Sequence, residues 1–194
     1  NGPNDSGYQH GTHVAGILLG NGNKSGSTPS QHQYAGSFAG AAPEATLIFQ
    51  AAADSTGSTL YVPQPLETKP LLWPYQQGAK IHSNSWVIGN TAIYFGNYTS
   101  ESRSVDIFTF TNKPASIVFA VGNQGGIWNG VGFTPVYNSV LPPSTAKNSI
   151  SVGASENLRV PDCGGTIPAG QSPEPCDNIN EVWSGSSKGP TDDL

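Results

Sequence analysis

The sequence predicts an α/β fold with a mainly parallel sheet flanked by helices, and three observations carry that prediction. Short apolar runs recur along the chain with turn residues on either side, and helical stretches alternate with them. The runs are continuously apolar or β-branched, as strands of a parallel sheet covered on both faces are. Alternation of the two kinds of segment is the pattern of α/β folds.

Taken in order, a helix is expected from His10 to Gly20, where Val14, Ile17 and Leu18 fall at helical spacing. Thr46 to Ala52 reads as a strand. Leu66 to Gly78 reads as a weaker helix, because Pro70 and Pro74 each remove a backbone donor and crowd the preceding turn. Ala79 to Ser83 is the next strand. Ser100 to Asn112 is a helix with Val105, Phe108 and Thr109 on one side and Ser100 placed to cap it. Ala115 to Val121 and Asn148 to Gly153 complete the strands, and Asn21 to Gly40 and Val160 to Ile179 read as long surface loops.

With 194 residues the chain is of one-domain size, long enough to bury a core. Eight Lys and Arg stand against 13 Asp and Glu, a net charge of −5, and charged residues are 11% of the total. Too few cations are present to build the basic face that neutralises phosphates, so nucleic acid is not an expected partner. No apolar run approaches the roughly 18 residues of a membrane span, and no membrane partner is expected. Gly and Pro supply 24 and 16 residues, signalling many turns. The absence of methionine, in a chain that begins Asn1-Gly2-Pro3, reads as a piece of something longer.

Chemistry concentrates in a few places. His10-Gly11-Thr12-His13-Val14-Ala15-Gly16 puts two histidines at the start of a helix. A zinc site would need three or four ligands, and His32, His82 and the carboxylates stand at no recognisable metal spacing. Two hydrogen-bonded histidines at a helix start are the plainer alternative. Asn84-Ser85-Trp86 follows one strand, and Ala120-Val121-Gly122-Asn123-Gln124-Gly125 ends another. Amides are thus placed at the C-terminal edge of the sheet, where ligands bind in open α/β folds. Asn123 has an N–H₂ that can donate to a developing oxyanion, and Gly122 lets a substrate backbone approach. The alternative is an asparagine that only shapes a turn.

Together these segments resemble the subtilisin-like serine proteases, the subtilases. H-G-T-H-V-A-G at 10 to 16 is similar to the family's histidine motif, N-S-W at 84 to 86 to its substrate-strand motif, and A-V-G-N-Q-G at 120 to 125 to its oxyanion-asparagine motif. Ala41-Ala42-Pro43-Glu44-Ala45, the stretch Ser144 to Ala154 and Ser186-Ser187-Lys188-Gly189-Pro190-Thr191 extend the likeness in family order over nearly the whole chain.

The resemblance implies a three-layer subtilisin-like fold and a secreted, monomeric serine endopeptidase, acting on a protein or peptide in extended conformation. His10 would be the general base towards a serine hydroxyl and then the general acid towards the leaving amine. His13 would be structural and point into the core. Asn123 would donate to the oxyanion; loss of such a donor costs about 10²–10³ in rate, a magnitude that comes from subtilisin itself and is carried over by the likeness. Ser85, Trp86 and Val87 would pair with the substrate as an added strand, and Ala120, Val121 and Gly122 would form the opposite wall of the pocket. No cofactor is required for this chemistry.

The departures are as informative. In subtilases the triad runs Asp, His, Ser. Asp5-Ser6-Gly7 spells the aspartate motif but lies five residues before His10 without the apolar strand that should lead into it. The nucleophile motif G-T-S-x-A does not occur. Residues 1–194 are therefore expected to be a partial catalytic domain with the aspartate segment upstream and the serine segment downstream, inactive by themselves, and with 160–179 as a loop insertion. Val87 stands where the family usually has glycine, which would narrow the pocket or obstruct the substrate. A shift of alignment to Gly89 is the plainer explanation. A catalytically inactive binding or structural module on the same fold is the competing reading.

In a secreted protein, Cys163 and Cys176 would close a disulfide worth roughly 3 kcal/mol on loop entropy, or pair with cysteines outside this sequence. Asn4, Asn23 and Asn97 begin N-x-[ST] sequons, and thus candidate glycosylation sites. Structural calcium, common in the family, could draw on Asn21 and Asn23, although no run of carboxylates locates it.

Overall fold

A computed structural model describes residues 10–23, 37–52, 60–129, 132–156 and 180–193. The chain forms two compact units, Asn1–Gln64 and Pro65–Leu194.

In the first unit, α1 spans His10–Leu19. Its C-terminal carbonyls are satisfied by a returning strand of backbone: Gly40 N–H donates to Gly20 O at 2.7 Å, Ala41 to Ile17 at 2.9 Å and Ala42 to Leu18 at 2.8 Å. This return explains the local sequence, since alanines keep their N–H groups and Pro43, which has none, follows once the helix end is capped. Gly40 is glycine because a Cβ there would lie 2.7 Å from the backbone nitrogens of Leu19 and Gly20. Thr46 to Ala52, expected as a strand, joins no sheet among the described residues, although its Ala52 carbonyl accepts the Tyr61 N–H at 2.6 Å. Ladder bonds need a neighbour, and apolar β-branched content alone does not supply one.

The second unit holds β1 (Ile81–Asn84), β2 (Ser116–Ala120) and β5 (Ile150–Val152) in a parallel sheet of order β1-β2-β5. The register sets Ile81 beside Ser116 and Asn84 beside Phe119, then Val118 beside Ile150 and Ala120 beside Val152. The short helix α2 (Leu72–Gln76) and the longer α3 (Ser100–Thr111) precede their strands, and α3 lies against β2. An α/β fold with a parallel sheet flanked by helices is therefore what the chain forms. β3 (Gly126–Trp128) and β4 (Phe133–Pro135) make a separate antiparallel ladder, too short to stand out as apolar runs.

Ile117 and Phe119 of β2 are buried with Leu66, Leu71, Val105, Phe108, Val140 and Leu141, and these form the core. Tyr75 meets Phe108 edge to face at 5.7 Å, joining α2 to α3. On the opposite face Ile81, Ile150 and Val152 are exposed, so no described element of this unit covers the sheet on both sides.

The prolines shorten the helix expected from Leu66. Pro65 to Leu71 forms turns, and Pro74 is accommodated within the first turn of α2, where its missing N–H costs no bond. The helix ends in a Schellman arrangement, with Gly78 at φ +101°, Gly78 N–H on Tyr75 O and Ala79 N–H on Pro74 O. At α3 the expected cap is displaced. Thr99, extended, holds the N-cap position without a side-chain bond, and Ser100 is already helical, its hydroxyl donating to Glu101 at 3.2 Å. The peptide bonds Pro142–Pro143 and Gly189–Pro190 are cis.

Candidate active site

Adjacent parallel strands end at the same edge, so β1 and β2 deliver the two expected walls together. Beyond Asn84 the chain continues as Ser85-Trp86-Val87, and beyond Ala120 as Val121-Gly122-Asn123. Asn84 closes the end of the sheet. Buried, it donates its amide to the carbonyls of His82 at 3.2 Å and Val118 at 3.1 Å, bridging both strands. Segment 141–142 ties the walls further on, Leu141 N–H donating to Val121 O at 3.0 Å and Pro142 O accepting from Ile88 N–H at 2.7 Å.

Ser85 is exposed, and Trp86 and Val87 are half-buried. The Trp86 ring stands edge to face on Phe119 at 5.1 Å, which anchors the 85–87 wall in the core. Because β1 is the outer strand of its sheet, the side of this wall away from β2 has no partner strand among the described residues of this unit. The neighbour Gly89 takes φ +77° and meets the Tyr94 ring, so its glycine is required by its own turn.

On the other wall, Ala120 pairs with Val152, and Val121 N–H donates to Val152 O at 3.0 Å. Gly122 adopts φ +106°, a conformation that side chains disfavour, and turns the chain out of the strand. Asn123 follows with its side chain exposed and its backbone N–H on Gln124 Oε1 at 2.9 Å. Segment 184–188 supports this turn. Ser187 N–H donates to Gly122 O at 3.0 Å, Ser187 Oγ accepts Gln124 N–H at 3.1 Å, and Gly125 N–H donates to Gly185 O at 2.9 Å. Ser186 Oγ accepts Ala154 N–H at 3.0 Å just past β5. The turn motif was visible in the sequence, but these supporting roles of Gly185, Ser186 and Ser187 were not.

Beneath this edge, burial lowers the His82 pKa, opposed by hydrogen bonds to the Pro70 carbonyl and the Asn84 side chain.

His10 begins α1 and is exposed. His13, expected to point into the core, is exposed too, since α1 buries none of its residues. His10 belongs to the first unit and Asn123 to the second. Asn23 is exposed, and its N–H donates to Asn21 Oδ1 at 3.2 Å, engaging one of the oxygens considered for calcium. Asn97 donates its amide to Ile93 O at 2.7 Å. Asn4, Cys163, Cys176 and the 160–179 loop lie outside the described residues. At the base of that loop, Glu156 N–H donates to Glu181 O and Trp183 N–H to Ala154 O, an antiparallel pairing. Among the described residues no three His, Cys, Asp or Glu side chains cluster as a metal site, and no helix is long and apolar enough to cross a membrane.

The subtilase family model matches residues 1–194. Among curated proteins, the chain is 33% identical over 157 residues to the serine protease/ABC transporter B family protein tagB of Dictyostelium discoideum, covering 78% of this chain and 7% of that protein. It is 33% identical to tagD of the same organism over 149 residues, 76% of the chain and 7% of that protein. With the C5a peptidase of Streptococcus pyogenes serotype M1 it shares 27% over 150 residues, 75% of the chain and 12% of that protein. The chain thus spans about a tenth or less of the length of two of these relatives, and little more of the third. A family-model match over its whole length shows that this chain belongs to the subtilase family.

Proposed function

We propose that the chain is the central part of a serine endopeptidase domain that cleaves an extended peptide through a Ser-His-Asp triad and an asparagine oxyanion hole. The observation that carries this reading is the exposed Asn123 amide at the C-terminal edge of the sheet, beside the Ser85–Val87 wall. A substrate strand added to that wall would present its scissile carbonyl to the asparagine. His10 is the base, taking the serine proton and returning it to the leaving amine. The serine and the aspartate that orients His10 must come from outside residues 1–194. Serine protease names among the relatives and family membership support peptide hydrolysis. By the same reading the protein works outside the cell as a monomer.

Val87 favours a second reading, an inactive module on the same fold, because the strand-addition reading sets a half-buried β-branched residue in the wall where the family usually has glycine. One experiment separates the two. The full-length protein is treated with a phosphonylating serine probe beside a His10→Ala variant, and the adduct is mapped by mass spectrometry. Labelling of one serine outside residues 1–194, lost in the variant, is the expected result. A folded protein that takes no label is the inactive module.

A further inference from the structure

The Lys188 ammonium donates to three main-chain carbonyls, Gly125 O at 3.1 Å, Ser184 O at 2.9 Å and Ser186 O at 3.0 Å. An ammonium has three N–H donors and no acceptor, so these three oxygens satisfy it fully. Converging carbonyl dipoles repel one another unless a cation lies between them, and the charge-assisted bonds offset that repulsion. Partial burial lowers the Lys188 pKa.

The cage joins two segments far apart in sequence. Gly125 belongs to the turn that carries Asn123, and Ser184 and Ser186 to the segment that supports it. Close approach is built in: a Cβ on Gly125 would run into the Ser186 carbonyl and lie 2.8 Å from Lys188 Nζ. Asn123 itself is exposed, with only its backbone N–H held, by the neighbouring Gln124. Its position is therefore set by residues 122, 124 and 125, each bonded to the 184–188 segment. An oxyanion donor stabilises a transition state only as far as it is held in place beforehand.

We propose that Lys188 is a positioning residue for peptide hydrolysis, its ammonium clamping the carbonyls of Gly125, Ser184 and Ser186 so that the Asn123 amide is held ready for the oxyanion. This rests on the reading of Asn123 as the oxyanion donor. Lys188 touches no substrate in this account and acts through the turn.

The test is a double-mutant cycle in the full-length protein, reading kcat and KM on a peptide substrate with folding checked by thermal melt. Lys188→Met should lower kcat about 10-fold, a fraction of what removal of the whole donor costs, and leave KM within about twofold. In an Asn123→Ala background the same substitution should change kcat by less than about twofold. An equal loss in both backgrounds, or no loss in the first, overturns the proposal. If Lys188→Met does not fold, Lys188→Arg goes through the same cycle. It keeps the charge but not the three-way geometry. A loss confined to the Asn123 background supports the clamp, and an equal loss or none overturns it. A wild-type protein that neither cleaves peptides nor takes the serine probe fails the protease reading and this inference with it, whereas an active protein with additive losses fails the inference alone.

Discussion

Asp106, on the outer side of α3, accepts the backbone N–H of Asn148 at 2.7 Å through Oδ1, fixing the helix to the turn that leads into β5. Its carboxylate also takes the Asn148 side-chain amide at 3.1 Å, the Lys147 N–H at 3.1 Å and the Tyr98 hydroxyl at 2.7 Å. Nearby, Ser102 and Thr145 share a buried hydroxyl hydrogen bond of 2.6 Å, a second tie between α3 and the same stretch of chain. Replacing Asp106 with Ala should cost about 1.5–3 kcal/mol, the usual worth of bonds to a charged acceptor, measured by urea unfolding. The same contact has a spectroscopic consequence. Desolvation first, and then the bond to Asp106, push the Tyr98 pKa up to about 12, so in an alkaline titration this tyrosine should ionise last and move towards its ordinary value in Asp106→Ala.

Acid should weaken the sheet through His82. Burial lowers its folded-state pKa, so the folded protein resists the proton that the unfolded chain accepts near pH 6.5. The neutral ring contributes its full stability above about 6.5. That contribution falls as the pH drops from there to the folded pKa, and levels off below it. In His82→Gln the unfolding free energy should change less between pH 7 and 5 than in the wild type. Equal slopes would show that His82 is not the titrating group.

The Gly125→Ala variant tests the close approach of two backbones. Its Cβ meets the Ser186 carbonyl, which cannot move without breaking the bonds of 184–188 to the turn. Overpacking of this kind costs about 1–3 kcal/mol, equivalent to roughly 2–4 °C in Tm per kcal/mol at this chain size.

Removing the Asn123 side chain with Ala should lower kcat by about 10²–10³, the range taken from subtilisin's own asparagine. KM should change little, because the donor acts on charge that develops only in the transition state. A loss confined to KM would place Asn123 in ground-state binding.

Val87 offers a specificity test. Exchange for Gly should widen the space beside the substrate path and raise kcat/KM for peptides with a large residue before the cleaved bond, by about 10-fold or more on the scale of one or two methylenes. An unchanged profile across a peptide library would show that Val87 points away from the pocket.

Much of this protein was legible in its sequence because its signals are local. His10 to Gly20, Ser100 to Asn112, Ala79 to Ser83, Ala115 to Val121 and Asn148 to Gly153 each appear as helix or strand within a few residues of the expected bounds. Periodicity and β-branched content act over short windows and need no partner to be read. The family was legible for a similar reason, since three short motifs in order carry it. What lay beyond reach depends on neighbours distant in the chain. Thr46 to Ala52 has strand composition but no described ladder partner, and β3 and β4 form from short runs because each finds the other. Trp86 finds its anchor in Phe119, 33 positions away, as the β1–β2 register brings it there. The support of Asn123 shows this most fully. Ser187 and Lys188 carry no sign of their partners in the sequence, because hydrogen bonds to backbone N–H and C=O groups are blind to the side chains those groups belong to, and only folding brings 184–188 against 122–125.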